Sequence, residues 1–513
     1  MNKFSKLNDL EIESILIEIP GDDGGLTDLE DDSDDEYLVE RNNYLDLLDS
    51  TTTIQTSVLN IMDLPIEFSE ESECIAGPSN AMPMHTPIFE DDHVDDTSEE
   101  TDTHKYRKKK KITNKKNKSS ESDMGWKKKL DHYVDVPDYN DFEGPIHGLF
   151  INCLSPTDVF LQVCGPILEN ICAQSNLYAT QRGKTLNLRI EELKAFIGIN
   201  FVMGYNSLPS WKDYWSTSND LGVKIISDAM SRKRFDDILC FLHINDNDAK
   251  TTDNKDKLYK LRPLLDSINS RFPELYKVTR EVSVDESMVL FKGRSSIKQY
   301  NPMKPIKRGY KIWCLGDQNG YISKFSVYQG KEEVIDDFVD FGLGERVVLN
   351  LTKPYWNKGM KVFFDNYFTS ISLLEKLKLE NTFACGTIRS NRKGIPPLAQ
   401  DKTLDRGMYD FKTSRLGITV YKWKDNRIVH LASNFHGVEE NSVLRTEHDG
   451  TKKNIKCPTI VNDYNKYMGG VDKADQLRAL YNVYRKSKKW WHRLFWGVID
   501  IIFSSSPGTN YTW

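Results

Sequence analysis

Long apolar runs are missing from this 513-residue chain. The longest near its end, residues 494–503, is interrupted by Asp500 and falls short of the roughly 20 residues a membrane-spanning helix needs, so no membrane partner is expected. Cysteine is thinly spread: Cys74, Cys153, Cys164, Cys172, Cys240, Cys314, Cys385 and Cys457 form no Cys-x-x-Cys pair, and no signal peptide precedes them. Free thiols in a reducing, intracellular compartment are therefore expected. Basic residues are nearly absent from residues 1–103, which hold 3 of them against 29 acidic ones, a net of −26. The remainder then carries 66 basic and 47 acidic residues, a net of +19. So basic a remainder implies a polyanionic partner, and the acidic stretch serves either to shield it or to solubilise it.

The acidic stretch, which includes Asp31, Asp32, Asp34, Asp35 and Glu36, has few aromatics to bury, and disorder is its expected state. The sign then flips at Lys105, Arg107, Lys108, Lys109, Lys110 and Lys111, followed by Lys115, Lys116 and Lys118. Compact charge in a linker points to nuclear import, although a phosphate-gripping arm needs the same residues. Residues 1–124 are thus expected to be tail and linker, and the length beyond them calls for at least two folded units.

Residues 125–279 read as a helical DNA-binding or dimerisation domain. Ser155, Pro156, Thr157 and Asp158 open a helix whose apolar residues Val159, Phe160, Val163, Ile167 and Ile171 recur at three- and four-residue steps. Further helices are expected over 190–203, 227–242 and 257–272. The period changes at about Arg280. Strands around Val284 and over 310–316 and 321–328, the last two joined by a turn at Asp317, Gln318, Asn319 and Gly320, are followed by helix, strand, helix and strand. A mixed α/β sheet with helices on its faces is expected over 280–390, with a β-rich insertion over 391–456, the last part of the core over 457–475 and a helical basic segment over 476–513.

Within that sheet three carboxylates stand in matching contexts. Val362, Phe363 and Phe364 end abruptly in Asp365; Asp285 lies inside the first strand; Asp472 follows Gly469 and Gly470 near a helix start. Strand ends in open α/β sheets are where ligands collect. Each acid alone also reads as a helix cap, a strand-edge charge or a complement to a helix dipole. Separations of 80 and 107 residues rule out a local metal loop, so only a fold can bring them together. Asp475, three residues past Asp472, shares its helix face. Hard oxygen donors without His or Cys suit Mg²⁺ or Mn²⁺, and two such ions about 4 Å apart support phosphodiester displacement.

At these positions the sequence resembles the piggyBac transposase family. The resemblance runs through Val284, Asp285 and Glu286; the stretch from Tyr300 through Pro305 with Gly309, Tyr310 and Lys311; Phe364 through Ser370; Gly386 through Arg392; and Tyr464 through Gln476. It implies an RNase H-like catalytic core with a DDD/DDE metal site, here Asp285, Asp365 and Asp472, with Asp475 as an additional ligand for Mg²⁺ or Mn²⁺. It also implies cut-and-paste transposition by a nuclear enzyme, a homodimer acting on double-stranded DNA at transposon ends and TTAA targets. Lys304, Lys307, Arg308 and Lys311 are expected at phosphates, as are Arg389 and Arg392. Lys486, Lys488, Lys489 and Arg493, mixed with Trp490 and Trp491, suit backbone binding with stacking, though core burial of the tryptophans fits equally. Family members commonly carry a C-terminal Cys/His-rich zinc domain, and no such cluster follows Ser505. The alternative to an active enzyme is thus a domesticated, transposase-derived DNA-binding or regulatory protein without transposition activity.

Overall fold

The computed structural model describes residues 124–506 apart from 131, 303, 331–337, 481, 484, 486 and 488. The acidic stretch, the basic run at 105–118 and residues 507–513 lie outside the described residues.

Helix α1 (Pro156–Gln181) starts where its sequence says it should. The Ser155 hydroxyl accepts from the Asp158 N–H, Pro156 fixes the first turn, and Val163, Ile167 and Ile171 face the core. In α2 (Ile190–Tyr205) the Glu192 carboxylate reaches back to the Arg189 N–H at 3.2 Å. The helix expected over 227–242 is instead two, α3 (Lys224–Ala229) and α4 (Arg232–Phe241). Met230 is extended and Ser231 caps α4 by accepting from the Arg234 N–H. A serine that can cap offers the backbone an alternative to continuing the helix, and the Met230 carbonyl takes the Trp215 indole N–H at 2.7 Å instead. The expected 257–272 helix becomes a short 3₁₀ turn followed by α5 (Arg262–Leu275), with Pro263 in its first turn.

A nine-stranded sheet follows, built from β1 (Glu281–Leu290), β2 (Gln299–Tyr300), β3 (Arg308–Asp317), β4 (Ile322–Val327), β5 (Lys361–Phe364), β6 (Phe383–Thr387), β7 (Tyr409–Thr413), β8 (Thr419–Lys424) and β9 (Ile428–Ser433). Its order is β2-β3-β1-β5-β6-β9-β8-β7, with β4 also on β3. Strands β1, β3 and β4 form an antiparallel meander. The β3–β4 turn is held by the Asp317 carboxylate, which accepts from the Asn319 and Tyr321 N–H groups at 2.8 and 3.0 Å. Strands β5 and β6 run parallel to β1, reached through α6 (Leu343–Thr352) and α7 (Ile371–Leu379).

The strands of residues 391–456 do not stand apart. β9 pairs with β6 from Leu431↔Thr387 to Ser433↔Cys385, which extends the same sheet; the ribbon of β10 (Glu440–Thr446) and β11 (Lys452–Pro458) pairs separately. Helices α8 (Thr459–Tyr467), α9 (Gly470–Leu480) and α10 (Trp490–Ser504) complete the described chain.

One hydrophobic cluster joins α1, α2, α5 and α10 to the sheet, taking Ile312 to Leu315 from both faces of β3, and a second includes Phe363, Tyr421, Trp423 and Ile460. β5 gives Val362 and Phe364 to the first and Phe363 to the second, which is why it reads as an unbroken apolar run. Among the described residues no helix is long and apolar enough to cross a membrane.

Candidate functional site

Register places the first two carboxylates. β1 and β5 are parallel neighbours with Val284 opposite Phe364, both fully buried, so the next residues, Asp285 and Asp365, stand side by side. Alternation along a strand turns them away from the apolar contacts of Val284 and Phe364. The cap reading of Asp365 does not hold, because α7 is capped by Ser370, whose hydroxyl accepts from the Leu373 N–H at 3.0 Å. Asp365 instead shapes the turn after β5: its Oδ1 accepts from the Tyr367 N–H at 2.9 Å and its carbonyl from the Thr369 hydroxyl at 2.7 Å. Arg392 fixes that turn from outside through the carbonyls of Asn366 and Tyr367 at 3.0 and 2.6 Å, and Arg389 donates to Asn366 Oδ1 at 3.0 Å.

The third carboxylate comes from α9, which lies directly on β1 and β3. A Cβ at Gly470 would meet the Asp317 carbonyl oxygen at 2.4 Å and Ser283 Oγ at 2.7 Å, so only glycine allows this approach. Asp472 sits in the first turn of α9. Lys304, on the turn between β2 and β3, holds its ammonium 3.7 Å from Asp285 Oδ2 and 3.8 Å from Asp472 Oδ1. Asp475, one turn along α9, has a different job in this geometry: its Oδ1 accepts from the Ser287 hydroxyl at 2.7 Å and pairs with Arg478 at 3.1 Å. Arg478 also donates to the Met288 carbonyl at 2.9 Å, so the pair locks α9 to β1.

Charge crowding shows in the acidities. Burial pushes the Asp285 carboxyl up to about 7; Lys304 pulls it down, and Asp472 and Asp365 push it further up. Burial also raises Asp365, against the Tyr367 amide that favours its charged form. For Lys304, burial works against the charge, yet Asp285, Asp472 and Asp475 hold its pKa above the ordinary lysine value.

The donor set, carboxylate oxygens on a rigid sheet and helix, fits a hard divalent cation. Among the described residues no three His, Cys, Asp or Glu side chains close around a common point, and Lys304 stands between two of the carboxylates. Beside it lies a cavity of about 20 Å³, room for one water, lined in part by Lys304, Met288, Asp475 and Arg478.

The expected phosphate contacts divide. Lys307 and Arg308 are exposed on the turn that carries Lys304, which the Asn301 N–H closes onto the Lys307 carbonyl at 2.8 Å. Lys311 pairs with Glu286 and lies over the Trp313 ring at 4.7 Å. Lys489 donates to the Cys240 carbonyl at 3.4 Å, and Lys486 and Lys488 lie outside the described residues. Arg493 is a correction: it is only 7% exposed and donates to the carbonyls of Leu290 and Val483 at 3.1 and 3.0 Å. Its guanidinium ties α10 to β1 and does not reach a surface. Trp491 is 2% exposed in the main core and Trp490 packs against it, so the stacking reading gives way to core burial. Sequence reasoning missed Ser287, Arg478 and Asn301, whose amide donates to Glu286 Oε1 at 2.5 Å. Arg478 alone had a readable signal, its three-residue step from Asp475.

Comparison with known proteins adds three findings. A family model described as Transposase IS4 matches residues 155–504. The chain is similar to two human proteins: PiggyBac transposable element-derived protein 3, 35% identical over 68% of this chain and 60% of that protein, and the Chimeric ERCC6-PGBD3 protein, 31% identical over 90% of this chain and 47% of that one. It therefore spans about half to three-fifths of the length of these curated relatives. Among solved structures it resembles the piggyBac transposase in a synaptic complex with hairpin DNA, with a TM-score of 0.61, 26% identity and coverage of 71% of this chain and 76% of that one.

Proposed function

This chain belongs to the piggyBac transposase and piggyBac transposable element-derived protein family, and from that premise we propose that it is a metal-dependent DNA transposase. The antiparallel β1-β3-β4 meander, followed by parallel β5 and β6 across helical connections, is read as an RNase H-like core. Asp285, Asp365 and Asp472 are the proposed ligands of Mg²⁺ or Mn²⁺, with Asp475 bracing α9 beneath them. The observation that carries the reading is the parallel register that sets Asp285 beside Asp365, with Asp472 reaching the same ammonium group as Asp285. A divalent ion bound there supplies Lewis acidity to a water or 3′-hydroxyl and steadies the leaving oxygen of a phosphodiester.

The chain's own residues do the positioning. Arg389 and Arg392 hold the Asp365 turn still, Gly470 lets α9 bring Asp472 close, and exposed Lys307 and Arg308 offer charge to the DNA backbone. The proposed partner is double-stranded DNA, as transposon ends and a TTAA target, met by a homodimer in the nucleus, with the basic run at 105–118 as the import signal. Purified protein, Mg²⁺ and DNA carrying the flanking ends of the element test the reading: end nicking is expected, lost in Asp285→Asn and Asp472→Asn. The second reading, a transposase-derived regulator that binds without cutting, draws support from relatives whose names say transposable element-derived. In the same assay it gives a DNA shift and no nick.

A further inference from the structure

We propose that Lys304 is a resident counter-cation that competes with the divalent ion for Asp285 and Asp472, so that its side chain must withdraw before the site can fill, an inference which rests on the metal-site reading above. Its ammonium lies 3.7 Å from one carboxylate and 3.8 Å from the other, nearly equidistant and beyond ordinary hydrogen-bond length to either. It is held by the field of the surrounding carboxylates, Asp285 and Asp472 foremost, rather than by two short bonds, and it can leave without breaking a fixed geometry. A divalent ion held by Asp285 and Asp472 would need the space beside their oxygens that the Lys304 ammonium now occupies. Two cations cannot share that space at low cost.

Two hydrogen bonds anchor the turn that carries Lys304. Pro302 and Pro305 stiffen the turn, the Asn301 N–H closes it onto the Lys307 carbonyl at 2.8 Å, and the Asn301 amide ties it to Glu286 on β1. Asp285 is seated in the sheet, and the helix that carries Asp472 is held by the close seat of Gly470 and the Ser287–Asp475 bond. A lysine suits the role because it is a compact charge on a flexible four-carbon stem, whereas an arginine fork would bind both carboxylates bidentately. The small cavity beside it is no retreat, since Arg478 lines it. Lys307 and Arg308 are exposed just along the chain, and a DNA phosphate drawn to them would also receive the displaced charge and so favour metal loading.

The test is calorimetric titration of Mn²⁺ into the DNA-free full chain, with melting temperature as a second readout. Lys304→Met is expected to bind Mn²⁺ about tenfold tighter than wild type, to melt lower without metal because its carboxylates lose their counter-charge, and to gain more on adding Mn²⁺. If Lys304→Met does not melt cooperatively, Lys304→Gln, which keeps length and polarity, carries the same comparison. Equal or weaker Mn²⁺ affinity in the neutral variant, with Asp365→Asn abolishing wild-type binding, overturns the competition and leaves the metal site standing. Equal Mn²⁺ binding by wild type and Asp365→Asn removes the metal site, and the competition with it.

Discussion

A single methyl group at Gly470 tests whether the third carboxylate depends on close packing of α9. In Gly470→Ala the new Cβ would lie 2.4 Å from the Asp317 carbonyl oxygen and 3.0 Å from its carbon, where ordinary contact begins at 3.4 Å. Both atoms belong to the backbone of the β3 end, so neither can swing aside, and α9 must back off by about 1 Å. Overpacking of this kind costs about 1–3 kcal/mol, offset by at most about 1 kcal/mol of helix propensity. Because α9 carries Asp472, a 1 Å displacement is expected to lower nicking about 100-fold. Gly198→Ala in α2 is the control: its Cβ meets nothing within 4 Å, and a neutral or slightly stabilising effect is expected. Urea unfolding and end nicking read both variants. If Gly470→Ala matches Gly198→Ala in stability and wild type in nicking, the close seat of α9 is not what positions Asp472.

Three further outcomes follow from the same contacts. Arg493→Met strands the Leu290 and Val483 carbonyls and is expected to cost about 2–4 kcal/mol in urea unfolding, with the salt slope of DNA binding unchanged; a reduced slope would restore a phosphate role. Lys307→Ala and Arg308→Ala should each weaken DNA binding across sequences and lower the salt slope by about one, with unfolding unchanged. Burial pushes Asp500 up to about 7 from 3.8, so the folded protein holds an extra proton between those values and loses stability as pH rises through that window. Asp500→Asn keeps an oxygen for the Val483 N–H, now met at 2.8 Å, and should exceed wild type at pH 8 by up to about 4 kcal/mol while converging with it near pH 4. Parallel stability curves across pH would contradict it.

What the sequence made legible was what local pattern controls. The Ser155 cap, the turn at Asp317–Gly320 and the apolar run that stops at Asp365 all appear where they are expected, because caps, turns and strand ends are set by near neighbours. The break at Met230 was hidden because neither Met230 nor Ser231 breaks a helix by itself; the cap bond and the Trp215 contact decide it together. Strand order was hidden for a different reason. The pairing of Leu431 with Thr387 joins residues 44 apart, and nothing in either strand names its partner. At the site, the three acids were readable as carboxylates inside a strand, at a strand end and near a helix start. That Lys304 stands between two of them, that Asp475 spends an oxygen on Ser287 and Arg478, and that Arg493 is buried are products of tertiary packing, since a basic side chain carries no local mark of whether it will face carboxylates, carbonyls or solvent.

The most direct measurement of the central claim is Mg²⁺-dependent strand nicking at the flanking ends by purified wild type and by Asp365→Asn, a substitution that keeps shape and the Tyr367 contact while removing one charge. Nicking by wild type that falls at least 1000-fold in Asp365→Asn, with DNA binding and melting temperature retained, is the expected result, on the scale of losses of about 10³-fold for a group acting on the reacting atoms. Undiminished nicking by Asp365→Asn, or none by wild type under conditions where it binds the DNA, contradicts it.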